Sequence, residues 1–266
     1  HEGLGSLSMW KDFPQQLCAS GGFHGLIYSR PGYGQSTPRA DDEHWQPDFM
    51  HRQAYEVLPA LLAVLKVDTQ QHAVWLFGHS DGGSIALLAA NQNCQNKEKK
   101  PSTLTNQSGE HPSFGQTFRI SNGAQEGQGG LFTGIIALAP HIMVEDLSIQ
   151  NIRQARKVYL ETNLKQKLAR YHTDPDSAFW GWNNAWLSKE FRSWSIEEEI
   201  SSISCPVLAV QGLNDEYGTL EQIRGIKRRV PQTELLELKH CGHSPHRDQP
   251  ERLIETVVEF IQHNTP

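Results

Sequence analysis

The chain's 266 residues exceed one average domain and fall short of two, and with hydrophobic residues at 37% and charged residues at 20% there is enough apolar material for a sizeable core. A disordered chain is thereby excluded. Twenty-four Lys and Arg against 30 Asp and Glu leave a net charge of −6, and the longest basic cluster is Lys227-Arg228-Arg229, so neither nucleic acid nor an anionic membrane is an expected partner. No apolar run approaches the ~18 residues of a membrane span, the start His1-Glu2-Gly3 carries no signal-like region, and the four cysteines lack CxxC spacing and read as free thiols; a soluble, cytoplasmic chain is expected.

In chain order, the β-rich runs are Gly25–Ser29, Ala73–Phe77, Thr133–Ala139, Pro206–Gln211 and Glu234–Leu238. Helical patterns alternate with them, which predicts a doubly wound α/β fold with a mostly parallel sheet covered on both faces. Ala54, Val57, Leu58, Leu61, Leu62 and Leu65 form one helical stripe, in which Pro59 must kink the helix or start a new one. Over 91–130 the composition turns to Asn, Gln, Lys, Ser and Gly, which predicts a low-complexity surface insertion. The segment 141–200 reads as helical, and its Trp180, Trp182 and Trp186 suggest a cap whose tryptophans bind substrate over a core formed by 1–140 and 201–266. Thr219 followed by Gln222 fits a capping box, and Pro250 opens a last amphipathic helix.

The sharpest local signal is Gly78-His79-Ser80-Asp81-Gly82, a G-x-S-x-G sequence between an apolar strand and the Ala86–Ala90 helix. In a strand-to-helix turn of this kind the glycines give room for a strained backbone, and the serine hydroxyl projects at a helix N-terminus. A serine needs a base, and the base an acid that fixes its tautomer. His243, after Gly242 and beyond the Glu234–Leu238 strand, is the candidate base, ahead of His240 and His246. Asp215, after the Pro206–Gln211 strand, is the candidate acid, with Glu216 and Asp146 as alternatives.

The order Ser80, Asp215, His243 on alternating strands and helices resembles the α/β-hydrolase fold superfamily, in its serine-nucleophile branch. His1-Glu2-Gly3-Leu4-Gly5-Ser6 is similar to the family's His-Gly oxyanion turn, and Gly32-Tyr33-Gly34-Gln35-Ser36 to its G-x-G-x-S turn. The resemblance implies an oxyanion hole built from the amides of Gly3 (or Leu4) and Asp81. Glu2 stands where the family usually has glycine. The alignment also leads to the expectation that the N-terminal strand leading into the oxyanion turn is missing from this sequence.

The resemblance implies a hydrolase that uses no cofactor or metal and takes an ester or thioester of a small, apolar molecule through an acyl-enzyme on Ser80. Carbon–carbon bond hydrolysis of ring-cleavage products and non-catalytic binding of a small molecule are the alternatives on the same fold. A serine at position 80 argues against the dehalogenase and epoxide hydrolase branches, which use aspartate there.

Overall fold

The computed structural model describes residues 1–40, 42–98 and 131–265, the side chains of 92–98 excepted. After a short 3₁₀ turn at Leu7–Trp10 come α1 (Phe13–Gly21), α2 (Phe49–Arg52) and α3 (Leu58–Val64), then β1 (Trp75–His79), α4 (Asp81–Glu98) and β2 (Gly134–Leu138). The next segment is helical: α5 (Asp146–Glu161), α6 (Leu164–Leu168) and α7 (Pro175–Leu187) precede β3 (Val207–Gly212). The chain closes with α8 (Glu221–Arg229), β4 (Glu234–Leu238), α9 (Pro245–Asp248) and α10 (Pro250–Asn264).

The four strands form one parallel sheet in the order β1-β2-β3-β4. The two central strands are buried along their whole length, which is why Gly134-Ile-Ile-Ala-Leu138 and Val207-Leu-Ala-Val210 read as unbroken apolar runs. Their side chains alternate between two cores. Ile135, Ala137, Val207 and Ala209 pack on the side of α4 and α8, with Leu87, Leu88, Ile223 and Ile226. Ile136, Leu138, Leu208 and Val210 pack on the other side with Leu17 of α1 and Leu253, Val257 and Ile261 of α10. Helices thus cover both faces, as the pattern of the sequence predicts.

Several local expectations are corrected. Gly25–Ser29 makes no ladder among the described residues, and Leu26 is 52% exposed, so the β-rich composition there lacks the partner strand that would make it a strand. β1 begins and ends two residues later than the apolar run, because Gly78 and His79 pair in register with Ala137 and Leu138. The Ala54–Leu65 stripe is interrupted as expected at Pro59, by a π turn at Gln53–Val57 where the Leu58 N–H reaches back to Gln53 O and α3 begins. This lets Pro59, which has no N–H to give, sit in the first turn of α3. The capping box does not form: Thr219 Oγ accepts from the Glu221 amide at 3.2 Å, the Thr219 amide donates to Glu145, and Gln222 is buried and serves the Ile142 amide at 2.7 Å. α4 continues past Ala90 to Glu98, over Gln, Lys and Glu that are good helix formers; the rest of the predicted insertion lies outside the described residues. Among the described residues, no helix is long and apolar enough to cross a membrane.

Ile136 is fully buried in the centre of the sheet. Ile136→Ala should cost about 2–5 kcal/mol, since a buried Ile truncation loses transfer energy and leaves a cavity. Urea unfolding should show the midpoint falling at unchanged slope.

Candidate active site

A parallel sheet brings the C-terminal ends of all its strands to one edge. Ser80 directly follows β1 there, His141 follows β2, Asp215 follows β3 and His243 follows β4. At Ser80 the backbone takes φ 54°, in the left-handed region, a conformation that costs a non-glycine residue ~1–2 kcal/mol. Hydrogen bonds hold it there. Its N–H donates to Leu138 O at 2.8 Å, and its carbonyl accepts from the amides of Gly83 at 2.8 Å and Ser84 at 3.1 Å. The turn is so tight that a Cβ on Gly78 would lie 2.0 Å from Gly82 O, and one on Gly82 would lie 2.9 Å from the backbone N and O of His1. Both glycines of G-x-S-x-G are therefore set by contact.

His243 Nδ1 lies 2.8 Å from Asp215 Oδ1. The same oxygen accepts from the amides of Tyr217 at 2.8 Å and Gly218 at 3.2 Å, and Gln211 Nε2 donates to Oδ2 at 3.1 Å. Burial alone would raise the Asp215 carboxyl, but these donors and the charge of His243 hold it below the usual carboxylate range. Burial alone would likewise lower the His243 imidazolium, yet the hydrogen bond and charge of Asp215 outweigh it and the net shift is upward. Gly212 lets the His243 loop approach, since a Cβ there would lie 2.1 Å from Cys241 O. Of the alternative acids, Glu216 accepts from the His243 backbone amide at 3.1 Å. Asp146 is not brought to His243: its exposed carboxylate pairs with Arg192 at 2.6 Å. His240 is exposed. His246 is buried between Trp10 and His79, with ring centroids 4.7 and 4.9 Å away.

The turn at His1 packs on the start of α4 through Gly82. Asp81 is the first residue of α4, where a backbone N–H has no partner within the helix. Gly3 is buried against α7, and a Cβ on it would lie 2.1 Å from Trp182 Nε1. Trp186 donates its indole N–H to Asp81 Oδ1 at 3.2 Å. Trp180 lies elsewhere. Two residues along a helix is a rotation of ~200°, and Trp180 lies under the Arg156 guanidinium at 5.5 Å and lines a cavity of about 220 Å³ with Arg39 and Trp45.

Four residues at this edge escape the sequence reading. Arg30 is 2% exposed; it donates to Glu2 O at 2.9 Å, lies over the Tyr33 ring at 4.6 Å and comes within 3.8 Å of Asp81 Oδ2. Ser84 Oγ donates to His141 O at 2.6 Å and accepts from its N–H at 3.0 Å, which joins α4 to the loop after β2. The His141 ring lies 4.9 Å from Trp186 and 5.9 Å from His243, and burial with the nearby His243 charge lowers it to about 3. Glu2 turns its carboxylate to His79 Nδ1 at 3.3 Å and Arg247 at 3.2 Å. His141 left a trace in the sequence in that it follows its strand as Asp215 follows β3, and Glu2 in that it stands where related turns have glycine. Among the described residues no group of three or more His, Cys, Asp or Glu is placed to hold a metal ion.

Backbone contact and φ can be separated by two substitutions. Gly78→Ala should cost at least ~3 kcal/mol or abolish folding, because a Cβ 2.0 Å from a backbone oxygen cannot be relieved by a side-chain movement. Gly22→Ala, at φ 68° with nothing within 4 Å, should cost only the left-handed penalty of ~1–2 kcal/mol. Denaturant midpoints of the two variants should differ accordingly.

The sequence profile of the alpha/beta hydrolase family matches residues 3–256. No curated protein matches the sequence. Among solved structures, the chain is similar to a thermophilic esterase from Thermogutta terrifontis, with 16% identity, 98% of this chain and 87% of that one covered, and TM-score 0.64. It is similar to a meta-cleavage product hydrolase from Pseudomonas fluorescens, with 14% identity, coverage of 98% and 88%, and TM-score 0.66. A structure from a study of carboxylesterases of Nitrososphaera gargenis gives 16% identity, coverage of 99% and 88%, and TM-score 0.67. With its parallel sheet, its glycine-flanked Ser80 turn and a profile match over nearly its whole length, the chain belongs to the alpha/beta hydrolase family.

Proposed function

We propose that the protein hydrolyses an ester or thioester of a small, apolar substrate through an acyl-enzyme on Ser80, with no cofactor. The observation that carries this reading is the 2.8 Å contact between His243 Nδ1 and Asp215 Oδ1 at the sheet edge where the Ser80 turn stands. With Nδ1 engaged, His243 Nε2 is left to take the Ser80 hydroxyl proton as Oγ attacks the carbonyl carbon. The amides of Asp81 and Gly3 receive the developing oxyanion. Collapse breaks the bond to the alcohol or thiol, which leaves with the proton from His243. Water then gives a proton to His243 and attacks the acyl carbon, and Ser80 regains its proton as the acid departs. Asp215 stays ionised and stabilises the imidazolium in both halves. The helices over 141–200 act as the cap in this reading, with Trp182 and Trp186 as its inner wall. The outward-facing position of Trp180 supports no substrate contact at Ser80.

Ser80→Ala should lower kcat/KM by at least about 10³-fold and abolish labelling by a fluorophosphonate at unchanged melting temperature. A series of p-nitrophenyl esters from acetyl to octanoyl, with the corresponding thioesters and a ring-cleavage dienone, identifies the class. Turnover of the dienone alone would replace the ester reading by carbon–carbon bond hydrolysis; labelling and turnover both absent would leave a binding protein.

Because His243 is raised and must be neutral to accept a proton, the acid limb of the kcat/KM profile should lie above pH 6.5, the ordinary histidine value. Asp215→Asn removes the charge that raises it, so the rate should fall by about 10³–10⁴-fold and the limb should move to lower pH. A limb unmoved in this variant would take Asp215 out of the reaction.

A further inference from the structure

The residue between glycine and serine in the Ser80 turn takes no part in the proton path above, yet it is 1% exposed and each of its ring nitrogens faces a polar group. His79 Nε2 lies 2.6 Å from the backbone carbonyl of His243. Its Nδ1 lies 3.3 Å from Glu2 Oε2, and Glu2 Oε1 lies 3.2 Å from Arg247 Nη2 in α9. Trp10 and His246 enclose the ring, with centroids 6.1 and 4.9 Å away. We propose that Glu2 and His79 are positioning residues that hold His243 in register with Ser80, through a strut running from Arg247 through Glu2 and the His79 ring to the His243 carbonyl.

The reasoning rests on the reading of His243 as the base. A base must stay within ~2.6–3.2 Å of the proton it takes, and a misplacement of about 1 Å costs about 10²-fold in rate. His243 sits on a loop beyond β4, which among the described residues is paired on one side only. Asp215 fixes its ring and Glu216 its N–H, at 2.8 and 3.1 Å. The His79 contact fixes the remaining polar group of the same residue, and His79 is joined to Ser80 by a peptide bond, so the reference point is the nucleophile itself. A carbonyl can only accept, so Nε2 carries its hydrogen. A glycine at position 2, usual in related turns, has no side chain to close this chain of contacts.

The test uses His79→Leu, His79→Gln, Glu2→Leu and the Leu/Leu double variant. In each, kcat and KM are measured on the best ester of the series, together with melting temperature. The downfield proton resonance of the His243–Asp215 hydrogen bond is also followed, assigned by its loss in His243→Ala. His79→Leu should lower kcat about tenfold or more with KM within about twofold, and should shift or broaden the resonance. His79→Gln, whose amide can donate to the same carbonyl, should recover kcat to within about threefold of wild type. The double variant should be no slower than His79→Leu, since members of one strut are not additive. A folded His79→Leu with wild-type kcat and resonance overturns the proposal, as does an equal loss in the Leu and Gln variants. If His79→Leu fails to fold, Glu2→Leu decides, and unchanged kcat and resonance there overturn the strut. If the wild-type protein turns over no substrate, the hydrolase reading fails and the resonance alone decides: no response to either Leu substitution overturns the strut.

Discussion

The left-handed backbone at Ser80 is the constraint around which this end of the molecule is arranged. A side chain held at φ 54° persists only where its surroundings leave no alternative, and here two segments, the His1 turn and the end of β2, close on the turn. The His1 turn packs on Gly82, Pro140 packs on Gly83, and the Leu138 carbonyl takes the Ser80 amide. Each contact depends on a missing side chain or on the register of β1 against β2. The strain is small beside the burial of the two cores on either side of the sheet, and these local contacts hold it in place.

Buried charge collects at the same edge, and its fate there follows from local donors. Asp81 and Asp215 are both buried aspartates, yet burial pushes Asp81 above its usual range while Asp215 lies below it. Asp215 collects two amides, the Gln211 side chain and the His243 ring. Asp81 has the Trp186 indole at 3.2 Å and Arg30 at 3.8 Å, too far for a hydrogen bond. Desolvation dominates where donors are few, and hydrogen bonding where they are many. One carboxyl is thus held as an anion beside the imidazole.

The central strands were legible because a strand buried on both faces must be apolar throughout, and Ile135–Leu138 and Val207–Val210 leave no other reading. The ends were less so. Gly78 and His79 are poor strand formers that become strand because Ala137 and Leu138 stand opposite them. Gly25–Ser29 has strand composition and no ladder among the described residues, because a strand is a relation between two segments and composition describes one. Gln222 could serve its own helix or a neighbouring backbone; the unpaired amide of Ile142 after β2 settled the choice.

The sequence by itself determined the order of strand, turn and helix around Ser80, the two glycines that such a turn needs, and the chain positions of an acid and a histidine beyond later strands. These are local matters of steric room and periodicity, and they are written in consecutive residues. Only the tertiary structure decided that Asp215 and not Asp146 meets His243, that Trp182 and Trp186 turn inward while Trp180 turns away, and that Glu2 reaches His79 and Arg247. Each of those outcomes depends on distances between segments far apart in the chain, and on which buried group finds a donor there. Such distances follow from packing the whole sheet and its helices together.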